Sequence, residues 1–179
     1  MTSINAGKFT LQPLTIDFID NRYLSWMNDL EVTQWLDSNQ VQKRDINYLK
    51  EYIQSFDNVN NYLFGIYHDR KLIGTHAFRY DIKSKHASVG TMIGDKDYWG
   101  KGVPLITRAA ILDWCFSKFD LVEIYGGAQS KNFPSIYNFK RQGWAVKKIT
   151  KKHRVIDDTD IDMITFVMTK DKWRESRPS

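Results

Sequence analysis

The stretch from residue 86 to residue 128 constrains the fold more than any other part of this chain. HASVGTMIG (86–94) reads as a strand, and GDKDYWGKGVPL (94–105) is polar, aromatic and glycine-bearing. PLITRAAILDWCFSKF (104–119) is apolar nearly all round, and LVEIYGGA (121–128) reads as a strand again. Strand, loop, helix and strand in that order predict a βαβ-like unit, in which the loop after the first strand faces a ligand. A helix with so little polar face has to be covered on most sides, which places it tightly against a sheet.

The flanking sequence extends this unit. FTLQPL (9–14) is a first short strand. From Thr15 the pattern turns helical, with Ile16, Ile19, Tyr23, Trp26 and Met27 at spacings of three, four and seven, and Asn28-Asp29 ends it. A second amphipathic helix is expected from about Lys43, carrying Ile46, Leu49, Ile53 and Phe56 on one stripe. NYLFGIYHD (61–69) and KLIGTHAFRY (71–80), joined at Asp69-Arg70, form a hairpin. NFPSIYNFKRQGW (132–144) is a short helix closed by Gly143, and strands follow at about 145–154 and 161–169. The expected order is β-α-α-β-β-β-α-β-α-β-β, an α/β chain with a mixed sheet and helices on both faces. No repeat or linker divides it, so 1–179 is expected to be a single domain, with residues 1–7 and 171–179 as flexible ends.

Several function classes fall away. An apolar fraction of 42% argues against a disordered chain. One cysteine, Cys115, excludes an intrachain disulfide and a cysteine-rich zinc site, and its apolar setting makes it a buried, inert thiol. No secretory leader precedes FTLQPL and no run approaches the roughly 18 apolar residues of a membrane span, so a soluble cytoplasmic protein with no membrane partner is expected. The net charge of +5 suits an anionic ligand. Part of that charge lies in KKITKKHR (147–154), which reads as a solvated strand face; it carries no interleaved aromatics, so no nucleic-acid partner is expected.

GDKDYWGKGVPL admits three readings. Asp95, Asp97 and Gly100 match positions one, three and six of a calcium loop, but position five is Trp99 and position twelve is Ile106, where a bidentate acid is required. A phosphate cradle fits better. Gly100 and Gly102 let the backbone turn and an anion approach, and Pro104 suits a first helical turn. The N–H groups of about Trp99 to Val103 then meet an anion at the positive end of the helix, with Lys101 adding charge. A plain strand-to-helix turn would use the same glycines, and this stretch alone does not separate the two.

DYWGKG between strand and helix, followed about 40 residues later by NFPSIYNFKRQGW, resembles the two acyl-CoA motifs of the GNAT acetyltransferases: Gln/Arg-x-x-Gly-x-Gly/Ala, and Asn-x-x-Ser with a helix ending in Gly-Phe or Gly-Trp. The order of elements agrees over almost the whole chain. YLSWMNDLEVTQWL (23–36) and IGDKDYWGKG are most similar to the Rim-type branch and its relatives in surface-sugar biosynthesis. Two positions depart from the pattern. Asp97 stands where Gln or Arg is usual, and Pro104 supplies no N–H, so the departures bear on cofactor affinity.

The resemblance implies a mixed, mostly antiparallel GNAT-like sheet and direct transfer of an acetyl group from acetyl-CoA, the co-substrate, to a primary amine, with no metal. Pantetheine would lie along Thr91, Met92, Ile93 and Gly94, the pyrophosphate on Trp99, Gly100, Lys101, Gly102 and Val103, and Asn132 would hold the pantetheine arm. Asn132 is equally a helix N-cap. Ser135 is the first candidate for protonating the thiolate, although a first-turn serine often bonds only to backbone. Many members carry a tyrosine where this chain has Phe139; Tyr137, about 200° around the helix from it, is second. Glu123, mid-strand, and His76 are candidate bases, each with an ion-paired or hydrogen-bonded structural role as the alternative. Trp26, Asn28, Asp29 and Glu31 would shape the acceptor pocket. The expected acceptor is a small-molecule amine, an amino sugar on a nucleotide carrier. Protein N-terminal acetylation and a catalytically silent acyl-CoA-binding module are the alternatives, and a homodimer is left open.

Overall fold

The computed structural model describes residues 2–18, 21–36, 44–156 and 158–177. Among these, β1 (Ile4–Ala6), β2 (Phe9–Pro13), β3 (Asn61–His68), β4 (Lys71–Asp81), β5 (His86–Ile93), β6 (Glu123–Gln129), β7 (Ala145–Ile156) and β8 (Thr159–Thr169) form one sheet in the order β1-β2-β3-β4-β5-β6-β8-β7. Neighbours pair antiparallel except β5 and β6, which run parallel because the helix between them carries the chain back. The β3–β4 hairpin turns at Asp69 and Arg70, both at positive φ (48° and 65°), as a two-residue connection between twisted strands requires.

Side-chain alternation divides the sheet into two cores. Tyr62, Phe64 and Ile66 of β3 and Ala87 and Val89 of β5 face the first, built with α4 (Val103–Lys118) and α5 (Phe133–Arg141). Leu63, Leu72 and Met92 face the second, built with α1 (Asn21–Met27), α2 (Leu30–Thr33) and α3 (Ile46–Gln54). Helix α4 has Val103, Ile111, Leu112 and Cys115 fully buried, each large aliphatic side chain contributing roughly 1.5–3 kcal/mol. Burial pushes the Cys115 thiol far up, consistent with an inert thiol. The α3 stripe is buried at Leu49, Ile53 and Phe56, and Asp45 caps the helix by accepting from the Tyr48 N–H.

The chain ends differ from expectation. Residues 4–6 form a strand that pairs with β2 through Ile4↔Leu11 and Ala6↔Phe9, and Ile4 and Ala6 join the first core. Residues 170–175 form a sixth helix, α6 (Lys170–Glu175), capped by Thr169 and anchored by buried Trp173, whose indole donates to Asp113 Oδ1 at 2.8 Å. The helical pattern from Thr15 breaks into a 3-10 turn (Ile16–Phe18), α1 and the four-residue α2; Ile19 and Lys43 lie outside the described residues. The basic run lies exposed along β7, an outer strand of the sheet. No helix among the described residues is long and apolar enough to cross a membrane.

Candidate active site

Strands β5 and β6 stay together for only three pairs, His86↔Glu123, Ala87↔Ile124 and Ser88↔Tyr125, and then part. Past Ser88, one edge of β5 has no strand beside it among the described residues, so its backbone donors and acceptors face an open wedge. A cavity of about 580 Å³ occupies this region. Ser88 to Met92, Tyr125 to Gln129, Asn132 and Ser135 line it, together with Tyr23, Met27, Trp35, Tyr48, Tyr52 and Arg79.

Glycines keep the wedge clear. A Cβ on Gly126 would sit 2.4 Å from the Phe139 ring, and one on Gly94 would sit 2.1 Å from Trp26. Phe139 is 3% exposed, stacked on Phe166 at 4.7 Å, with the Arg108 guanidinium 4.1 Å from its ring centre. Trp26 therefore backs the end of β5 instead of lining the cavity; its chain neighbour Met27 does line it.

The loop after β5 makes a 3-10 turn (Lys96–Tyr98), with Asp95 accepting from the Asp97 N–H. Gly100 and Gly102 take the left-handed conformation (φ 71° and 70°), which a β-carbon disfavours. The first amides spent on α4 are Leu105 and Ile106, both donating to the Gly102 carbonyl (3.1 and 3.3 Å). The N–H groups of Gly100, Lys101, Gly102 and Val103 thus precede the ladder at the positive end of a 16-residue helix. The Trp99 amide differs from expectation, because it already donates to the Lys96 carbonyl at 3.0 Å; the Trp99 indole donates to the Ile93 carbonyl at 2.8 Å.

The candidate catalytic residues separate. Ser135 and Asn132 lie together on the cavity wall, and the Asn132 amide oxygen accepts from the Ser135 N–H at 3.2 Å. The capping role is therefore filled by the oxygen, leaving the amide nitrogen of Asn132 for other partners. Tyr137 is 60% exposed, outside the cavity, with Arg141 beside its ring. His76 is fully buried on the opposite face of the sheet, its Nε2 2.7 Å from Thr107 Oγ1 and its Nδ1 3.0 Å from Thr91 Oγ1. Burial, with Arg108 nearby, pulls its pKa down to about 3, so the ring is neutral and braces α4 against β5; it is not a base at this site.

Glu123 also lies outside the cavity. It accepts from the Tyr125 hydroxyl and pairs with Lys147 Nζ at 3.3 Å. The Tyr125 bond first, then Lys147, holds its carboxyl below the usual range. Asp29 and Glu31 are not pocket groups: both pair with Lys96, Asp29 at 2.7 Å, and Asp29 also caps α2. Asn28 is a tether, bonded to the Leu24 carbonyl (3.1 Å) and to both backbone groups of Arg44 (2.8 and 2.9 Å). Tyr125, Tyr48, Tyr52, Arg79 and Gln129 escaped the sequence reading. For Tyr125 the signal was there, since it shares a strand face with Glu123 two residues away.

A family model described as "Acetyltransferase (GNAT) domain" matches residues 8–145. No curated protein matches the sequence. Among solved structures, RimL, a ribosomal L7/L12 α-N-protein acetyltransferase in complex with coenzyme A, is similar at a TM-score of 0.84 and 15% identity, over 96% of this chain and 99% of that one. Mycobacterium smegmatis RimJ in complex with CoA-disulfide is similar at 0.82 and 16% identity, over 99% and 89%. The microcin C7 self-immunity acetyltransferase MccE, in complex with acetyl-CoA and AMP, is similar at 0.76 and 15% identity, over 90% and 92%. The wedge between parallel strands, the glycine turn at the head of α4 and a family match over most of the chain agree: this protein belongs to the GNAT acetyltransferase family.

Proposed function

We propose that the protein moves the acetyl group of acetyl-CoA to the primary amine of a small, ring-bearing, anionic acceptor, an amino sugar on a nucleotide carrier. The composition of the cavity wall carries this reading. Tyr23, Trp35, Tyr48, Tyr52 and Tyr125 supply aromatic surface, Arg79 is the one charged side chain among the described lining residues, and no carboxylate is among them. Aromatic faces suit a base or sugar ring, and a guanidinium suits a phosphate.

In this reading the N–H groups of Gly100 to Val103 hold the cofactor pyrophosphate with help from Lys101, while Pro104 withholds one donor. The pantetheine arm runs beside Met92, Ile93 and Gly94 as an added strand would, with the amide nitrogen of Asn132 across from it. A β5 backbone N–H bonds the thioester oxygen as charge develops there. Ser135 protonates the departing thiolate and regains its proton from water.

Thiol release from acetyl-CoA, measured with nucleoside-diphosphate amino sugars, free amino sugars and short peptides, tests the acceptor. The nucleotide-linked sugars are expected to react fastest. Faster release with peptides would replace this reading with N-terminal acetylation. Binding of acetyl-CoA without release on any amine would leave the silent module.

A further inference from the structure

Tyr125 stands where β5 and β6 part, in the last pair before the wedge opens. It lines the cavity on the face turned to α1–α3, in one cross-strand row with Ser88 and Arg79. Its hydroxyl donates to Glu123 Oε2. The Glu123 side chain is 23% exposed and touches Lys147, so it connects to solvent. The other charged or titratable groups facing the pair are His86 of β5, 5.4 Å from the Tyr125 ring, Lys147 of β7, 6.0 Å from it, and Arg79 of β4 in the same row.

An attacking amine must lose a proton, and the described cavity wall holds no carboxylate and no histidine to take it. The wall does hold a phenol already bonded to a carboxylate outside. We propose that Tyr125 and Glu123 form the proton exit of the acetyl-transfer site. The amine lone pair forms the C–N bond at the thioester carbonyl carbon, and the C–S bond breaks with its electrons leaving on sulfur. The surplus proton on nitrogen passes to the Tyr125 oxygen as the phenol's own proton passes to Glu123, which then releases it to water. Tyr125 ends unchanged. It is the catalytic residue, and Glu123 is a positioning residue acting through it.

The charge states suit the task. Burial, and then the bond to Glu123, raises the Tyr125 pKa to about 12, so the phenol carries its proton at neutral pH. Glu123 is held low by the same bond and is ready as a carboxylate. The proposal rests on acetyl transfer and not on which amine is the acceptor.

Tyr125→Phe and Glu123→Gln test it. Each is assayed with a nucleoside-diphosphate amino sugar, with a short peptide, and with acetyl-CoA alone, where water is the acceptor. Tyr125→Phe is expected to lose about 10²–10³-fold in kcat while its thermal shift with acetyl-CoA matches the wild type. Glu123→Gln is expected to lose about 10–100-fold, with kcat rising about tenfold per pH unit between about pH 7 and 9, where the wild type is flat. A Tyr125→Phe protein within about threefold of wild type on every substrate, or a flat Glu123→Gln profile, overturns the proposal. If the sugar nucleotide is inert and the peptide reacts, the acceptor reading falls and the relay is read on the peptide. If neither reacts, unchanged hydrolysis of acetyl-CoA in Tyr125→Phe overturns the relay by itself.

Discussion

The two faces of the wedge are built in opposite ways. Behind it, α4 and α5 press a continuous core onto the sheet, in which Phe78, Trp114 and Phe119 meet at ring distances of 5.3–5.5 Å and Phe139 is wedged against Gly126. In front, α1 and α3 pack on the sheet through Tyr23, Leu49 and Ile53 and leave the cavity beside that contact, against β4–β6. The rear face offers an incoming cofactor mostly backbone: a glycine turn and an unpaired strand edge. The front face offers side chains. A cofactor common to many enzymes can be held by main-chain groups that tolerate sequence change, whereas a particular acceptor has to be read by side chains. Substitutions behind the wedge should therefore act on stability, and substitutions in front should act on the acceptor with the fold intact.

Phe139→Ala is the strongest attempt to break that division. Removing a buried ring that stacks on Phe166 and fills the space Gly126 leaves should cost about 3–5 kcal/mol in denaturant unfolding. A loss below about 1 kcal/mol would mean that the rear core is not the rigid wall described.

Acid probes the same wall without a mutation. The folded pKa of His76 lies near 3, below its ordinary 6.5, so the unfolded chain binds more protons between those values. Its contribution is fully present above about pH 6.5 and fades as pH falls through that window, by about 2 kcal/mol between pH 7.5 and 5. Comparing unfolding of wild type and His76→Gln at both pH values isolates this slope, because the remaining titrating groups are shared. Equal slopes would remove His76 as the brace between α4 and β5.

In front, Arg79→Met should raise the acceptor KM about tenfold for a nucleotide-linked sugar and leave kcat within about twofold. The melting temperature should move little, since the structural contact of Arg79 is its cation–π position 4.3 Å from the Phe56 ring, worth about 0.5–1 kcal/mol. A fall in kcat with KM unchanged would place the guanidinium in the chemistry instead of in acceptor binding.

The same division explains what could be read from the sequence. The loop and α4 were legible because glycine, proline and an all-apolar helix are local signals, and positive φ at Gly100 and Gly102 follows from residue type. Strand β1 and helix α6 were not, because INA and KDKWRE carry too short a pattern; they form on tertiary anchors, Ile4 with Ala6 in one case and Trp173 in the other. His76 and Glu123 were visible as charged or titratable residues in strands. Whether each faced the wedge depended on the sheet's two-residue alternation and on neighbours such as Thr107, 31 residues away, and Lys147, 24 residues away. The cavity wall draws on α1, α3, β4, β6 and β8, which no window on the sequence brings together.

Lys96 is where the two faces meet at the surface. It leaves the cofactor loop to pair with Asp29 and Glu31 at the start of α2, and both carboxylates are within reach of one exposed ammonium. The pair lowers the Asp29 pKa, with the Lys96 hydrogen bond as the leading cause. Exposed pairs of this kind contribute little to stability, so Lys96→Ala should leave unfolding almost unchanged, and added salt should shrink any difference. The informative readout is therefore binding. If the pair only decorates the surface, acetyl-CoA affinity and acceptor KM both stay at wild-type values. If it sets the spacing of the loop and α2, acceptor KM rises while acetyl-CoA still stabilises the variant by about 2.7 kcal/mol at 100 times its dissociation constant. The position of the loop between both faces favours the second outcome, because a shift of α2 moves Trp35 and Leu36 of the cavity wall and leaves Gly100 to Val103 in place.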